Sequence, residues 1–253
     1  MPIDLLFAWM MIFLRALGLI LLFPTLAGRP LPVMLRSAIA VCLATLLYTL
    51  VPHVTAIPGA LGGLIAASAC EVALGLVMGW VGRLVFAAVE MGGRVISSEI
   101  GLTAIPGIDA PQPAQEPVAT LLVTFAGMMF FIAGGHLGSL AAFARSFDFA
   151  PAGAAAFGID APERLVTATS RVLELGLRIA APFIALNFLV TLAFAVLGRA
   201  VPRMQVFVLS YSLRSLAGFA LLAGSGGLLT RYLWPEFYAL PLRLLELLPA
   251  AVS

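Results

Sequence analysis

Lysine is absent from this chain of 253 residues, and charge of either sign is scarce. All 14 basic residues are arginine, 12 are acidic, and together they make up 10% of the sequence, while 62% is hydrophobic. A soluble domain carries about 25% charged residues. Too few ions remain here to cover a water-exposed surface, so the chain is an integral membrane protein or one that hides its surface against partners. A net charge of +2 offers no basic excess to hold a nucleic acid. Histidine is limited to His53 and His136 and cysteine to Cys42 and Cys70, which gives no metal-site spacing and no disulfide framework. Both cysteines lie in apolar runs and read as buried small hydrophobes. No glycine-rich phosphate loop follows a strand, and neither HExxH nor GxSxG occurs. The expectation is a protein without enzymatic activity, cofactor or metal. The opening "MPIDLLFAWMMIFLRALG" has no basic leader and carries Asp4, so it reads as a retained first helix rather than a cleaved signal peptide.

What the sequence has is apolar length. Six segments, at 5–23, 33–51, 59–89, 118–144, 173–198 and 204–230, approach or exceed the roughly 20 residues that span a bilayer as a helix. No strand alternation is visible, and prolines at 24, 30, 32, 52, 58 and 202 mark the turns. An all-α membrane protein follows, with about six hydrophobic helices arranged as helical hairpins. The third segment, continued to Gly93, would reach about 50 Å as one helix, well past a hydrocarbon core of about 30 Å. Gly75, Gly79 and Gly82 give it a small-residue surface that another helix backbone can approach.

Charges inside these segments single themselves out. Arg15 lies in the first, Glu71 and Arg83 in the third, Arg178 and Arg214 in the last two. Each costs about 2.5–3.5 kcal/mol at a bilayer centre and so is expected to face protein or water. Arg83, Glu90 and Arg94 fall on one helix face, where Glu90 is expected to pair with Arg94 and reach back towards Arg83. That cluster reads equally as a routine helix-end salt bridge or as a contact between subunits. Asn187 and Thr191, one turn apart, suit packing between helices. Loop arginines divide evenly between the two sides, five and five, so the usual guide to orientation gives none.

The stretch 103–117, "TAIPGIDAPQPAQEP", has four prolines, one glycine and two acids between two of the most hydrophobic segments. Structureless connections of about fifteen residues tend to be functional or disordered.

Taken in order, "RALGLILLFPTLAGRPLPVMLRSAIAVCLATLL", "EVALGLVMGWVGRLVFAAVEMGGRVISSEIGL", "GGHLGSLAAFARSFDFAPAG" and "LGLRIAAPFIALNFLVTLAFAVLGRAVPRMQVFVLSYSLRSLAGFALL" resemble the FliR/SctT family over nearly the whole chain. These are export-gate proteins of flagellar and injectisome type III secretion systems. The resemblance implies one export-gate domain over 1–253, with a FliP-like part at 1–160 and a FliQ-like hairpin and tail at 161–253. It implies residence in the bacterial inner membrane, at a flagellar basal body or injectisome base. Its partners would be FliP-like and FliQ-like subunits, an FlhB-like subunit, membrane lipid and the unfolded proteins being exported. In such an assembly Arg15, Glu71, Arg83, Glu90, Arg94, Arg178 and Arg214 would be buried or face neighbouring subunits. The 103–117 loop would plug the closed channel, with Ile105, Pro106, Gly107, Ile108 and Asp109 as its plug residues. Apolar knobs seal a constriction, and the Pro-Gly turn holds them in a non-helical shape. The rival reading is a small secondary transporter, although no paired broken helices or internal symmetry support it.

Overall fold

A computed structural model describes residues 3–23, 32–52, 59–102, 116–200 and 206–249. Those residues form eight helices: α1 (Ile3–Leu22), α2 (Val33–Leu47), α3 (Leu61–Ile100), α4 (Pro117–Ile132), α5 (Gly135–Phe149), α6 (Ala161–Ala200), α7 (Val206–Gly224) and α8 (Gly226–Leu245). The architecture is all-α, as the apolar runs require. By length and composition α1, α3 and α6 suffice to cross a membrane, and the bent pairs α4–α5 and α7–α8 bring the number to as many as five.

The boundaries differ from the apolar runs in instructive ways. The fourth segment is two helices bent by 65° at Ala133–Gly134. Gly134 sits at φ 69°, a left-handed conformation that ends α4 and that other residues resist. The sixth segment likewise breaks by 53° at Ser225, and α8 then continues to Leu245. α6 starts at Ala161, well before the expected 173, and runs for 40 residues. Pro162 is tolerated in its first turn because no intrahelical donor is needed there. α2 is only 15 residues, shorter than a span.

α3 is the spine, and α1, α4, α6, α7 and α8 all touch it. Its glycines set the closest approach. A Cβ on Gly75 would overlap the Arg15 carbonyl oxygen, and one on Gly79 would overlap that of Leu19. Helix backbones in near contact gain dispersion along their length where hydrophobic driving force is weak, as in lipid. Further along, Phe86 of α3, Phe130 of α4 and Phe237 of α8 form a ring cluster with centroids 5.4 to 5.7 Å apart. The main apolar core therefore runs from Phe7 on α1 to Leu247 beyond α8, with a small separate cluster of Leu74, Ala150 and Leu248. Cys42 and Cys70 are exposed rather than buried as expected, because each falls off the stripe that its helix turns inward. α6 and α7 behave differently from α1: Leu177, Phe188, Leu189, Val196, Leu216 and Phe219 are all exposed.

Candidate functional site

Polar side chains are so few in this chain that their contacts define its candidate sites. Arg15 and Glu71 lie 56 positions apart, and the Gly75 seam brings them together, since Glu71 stands one turn before it on α3. Both side chains are fully buried. Arg15 Nε donates to Glu71 Oε2 at 2.6 Å and Nη2 to Oε1 at 3.0 Å, the two-pronged geometry that suits a guanidinium and a carboxylate. Nη1 donates to Ser146 Oγ at 3.1 Å, and Nη2 also reaches the Ala150 carbonyl oxygen at 2.9 Å. The Gly153 N–H donates to Glu71 Oε1 at 2.8 Å, and the Phe147 ring centroid lies 4.1 Å from the Arg15 Cζ. Two buried charges are tolerated only when paired and hydrogen-bonded in this way. The clasp joins α1, α3, the end of α5 and the turn after it.

A second polar group bridges α3, α6 and α7. Asn187 Nδ2 on α6 donates to Glu99 Oε2 on α3 through a short contact. Thr191 Oγ1 donates to Asn187 Oδ1 at 3.4 Å and accepts from Arg214 Nη2 on α7 at 3.2 Å. Arg214 is half-buried, and its Nε is shielded without an acceptor among the described residues.

The other expected charges are not buried within the chain. Glu90 and Arg94 pair at 2.6 Å with side chains 45% and 62% exposed, and no ion pair joins Glu90 to Arg83 among the described residues. Arg83 is exposed, and its distance of seven residues from Glu90 is two turns, too far for a side-chain bridge that Arg94 reaches in one. Arg178 pairs with Glu174 along the exposed face of α6. Among the described residues, full burial of charge is thus confined to Arg15 and Glu71, which the close α1–α3 seam brings together. Ile105, Pro106, Gly107, Ile108 and Asp109 lie outside the described residues, as does His53. His136 packs against the Phe131 ring, centroids 4.9 Å apart, and no group of three or more metal-ligating side chains forms among the described residues.

Several participants escaped the sequence reading. Ser146, Ala150 and Gly153 use a hydroxyl, a carbonyl and a backbone amide, groups that carry no signature. Glu99 did carry one: a carboxylate in the last turn of a helix opposes the helix dipole and needs a donor nearby. Arg164 and Glu246, 3.6 Å apart, line a polar cleft between α6 and the end of α8 together with Arg243, which a short contact joins to Glu236 on α8.

Comparison with known proteins gives a consistent result. The family described as bacterial export proteins, family 1, matches residues 6–239. The chain is 29% identical to the flagellar biosynthetic protein FliR of Caulobacter vibrioides, over 84% of this chain and 86% of that one. It is 25% identical to the flagellar biosynthetic protein FliR of Escherichia coli, over 83% and 80%. It is 28% identical to Yop proteins translocation protein T of Yersinia pestis, over 72% and 71%.

Proposed function

The chain belongs to the bacterial export proteins, family 1, and from that premise we propose that it is a membrane-embedded subunit of a type III secretion export gate in the bacterial inner membrane. Its partners in this reading are FliP-like and FliQ-like subunits and an FlhB-like subunit, and its cargo is unfolded flagellar or injectisome protein. The observation that carries the proposal is the match along 6–239, nearly the whole chain. The geometry supports it through α6 and α7, whose apolar faces and half-buried Arg214 call for further helices beside them. Within the subunit, 1–160 act as the FliP-like part and 161–253 as the FliQ-like hairpin and tail. No enzymatic step is part of this role. Nothing in the geometry favours a transporter.

Residues 103–117 are the proposed plug of the closed channel. Co-expression with FliP-like and FliQ-like neighbours tests the assembly: one complex containing this chain is expected, and a stable monodisperse monomer that gains nothing from co-expression counts against it. Replacing 104–109 with a Gly-Ser linker tests the plug. The complex should still assemble, while membranes containing it should leak ions through an unsealed constriction. An unchanged closed baseline in that variant removes the plug role.

A further inference from the structure

Two hydrogen bonds run from α7 to the end of α3, and the export reading makes no use of them. Ser215 Oγ donates to the Ile100 carbonyl oxygen at 2.9 Å, and Tyr211 Oη donates to the Gly101 carbonyl oxygen through a short contact. Both acceptors belong to the terminus of α3, where carbonyls have lost the donors that a continuing helix would supply. The backbone closes that end as well. Gly101 at φ 84° lets the Leu102 N–H reach the Ser97 carbonyl oxygen at 2.8 Å, and the Gly101 N–H reaches that of Ser98 at 3.1 Å.

The fit between the two helices is reciprocal. A Cβ on Gly218 of α7 would come within 2.6 Å of Ile100 Cγ1, and a Cβ on Gly101 would come within 2.7 Å of Tyr211 Cε2. Each side is bare where the other places its bulk. Alongside, the Glu99–Asn187–Thr191–Arg214 group links these two helices through α6. Away from this place α7 is mostly open, with Leu213, Leu216 and Phe219 exposed.

We propose that Tyr211 and Ser215 are positioning residues. With Gly218 they form a seat on α7 that fixes the last turn of α3 and so the direction in which the chain leaves it. A shift of α7 then moves the end of α3. The inference rests on the export-gate reading, in which the residues that follow α3 seal the channel.

The test uses the assembled complex carrying Tyr211→Phe, Ser215→Ala or both. Amide exchange at Gly101 and Leu102 should quicken by about five- to tenfold for each hydrogen bond removed. Assembly should persist, and the membrane should leak in the closed state. Rescue distinguishes positioning from general damage. In a Cys42→Ala, Cys70→Ala background, Ile100→Cys with Gly218→Cys places two Cβ atoms at most one carbon–carbon bond beyond that 2.6 Å approach, within reach of the usual disulfide spacing of about 3.5–4.5 Å. Oxidation of this tether in the double variant should restore slow exchange and the closed baseline, and reduction should release both. Wild-type exchange in the double variant overturns the seat. Fast exchange with a closed baseline, in a system where the 104–109 linker variant leaks, overturns the positioning role. If the linker variant itself stays tight, the plug reading falls, and exchange with tether rescue still decides the seat.

Discussion

α1 and α7 both lie against α3, and they do so by opposite means. α1 runs along the first half of α3 with backbones in near contact, and its central arginine is fully buried and fully partnered. α7 meets α3 near the end of α3, through hydroxyls on carbonyls and Gly218 against Ile100, and its arginine keeps a shielded Nε without an acceptor among the described residues. The first contact is complete within one chain. The second leaves apolar surface and a donor unspent, which is what a helix expecting a neighbour looks like from one side. A charge inside an apolar segment therefore has two meanings in the same molecule, and burial with satisfied partners separates them.

The largest test of this contrast is Glu71→Leu. It strands the Arg15 guanidinium in a dry site and orphans the Gly153 N–H, and breaking a buried pair from one side costs about 3–5 kcal/mol. Thermal melting of the detergent-solubilised complex should fall sharply, or the chain should fail to accumulate. Arg15→Met with Glu71→Leu should recover much of that loss, since an apolar replacement of a buried pair is often neutral. Recovery should stop short of wild type, because Gly153 still loses its acceptor, a deficit of about 1–3 kcal/mol. A Glu71→Leu variant as stable as wild type would show that Arg15 reaches water or another acceptor.

Next comes the seam itself. Gly75→Ala forces a methyl onto the Arg15 carbonyl oxygen, and overpacking of this kind costs about 1–3 kcal/mol. Gly62→Ala, whose Cβ would meet nothing within 4 Å on the same helix, should be neutral or slightly stabilising. Equal melting of the two variants would mean that α1 and α3 can separate without penalty.

Arg214→Leu tests the other side of the comparison. Within the chain it removes one bond to Thr191, so the isolated subunit should change little. Assembly should suffer more than with Arg243→Leu, whose partner Glu236 lies on its own helix. Wild-type export from both variants would show that Arg214 needs nothing from a neighbour.

The fold class was legible because apolar length and missing strand alternation leave few alternatives. The glycine seam was legible too, since Gly75 and Gly79 could be read as a close-approach surface without knowing that α1 fills it. The bends at Gly134 and Ser225 were not, because hydropathy averages across a break that costs no apolar residue. Arg15 and Glu71 were visible singly, yet their pairing across 56 positions belongs to tertiary packing. Tyr211 and Ser215 were invisible for a plainer reason: their acceptors are backbone carbonyls, and a sequence does not print those.

The smallest expected effect sharpens the comparison most. Glu90 and Arg94 form an exposed pair one turn apart on α3. Such a pair contributes about 0.2–0.5 kcal/mol to a helix, and salt screens it. Arg94→Ala should therefore barely move the melting of the isolated chain, and less still at high salt. If another subunit covers this face, the same pair becomes desolvated, and removing one partner leaves a buried carboxylate that costs about 2–5 kcal/mol. The ratio of the two effects, isolated chain against assembled complex, thus reads whether the face around Glu90 is solvent or interface. A small, salt-dependent loss in both settings would make it a surface salt bridge. A loss that appears only on assembly would place Glu90 and Arg94 with Arg214, among the charges that a single chain leaves unfinished.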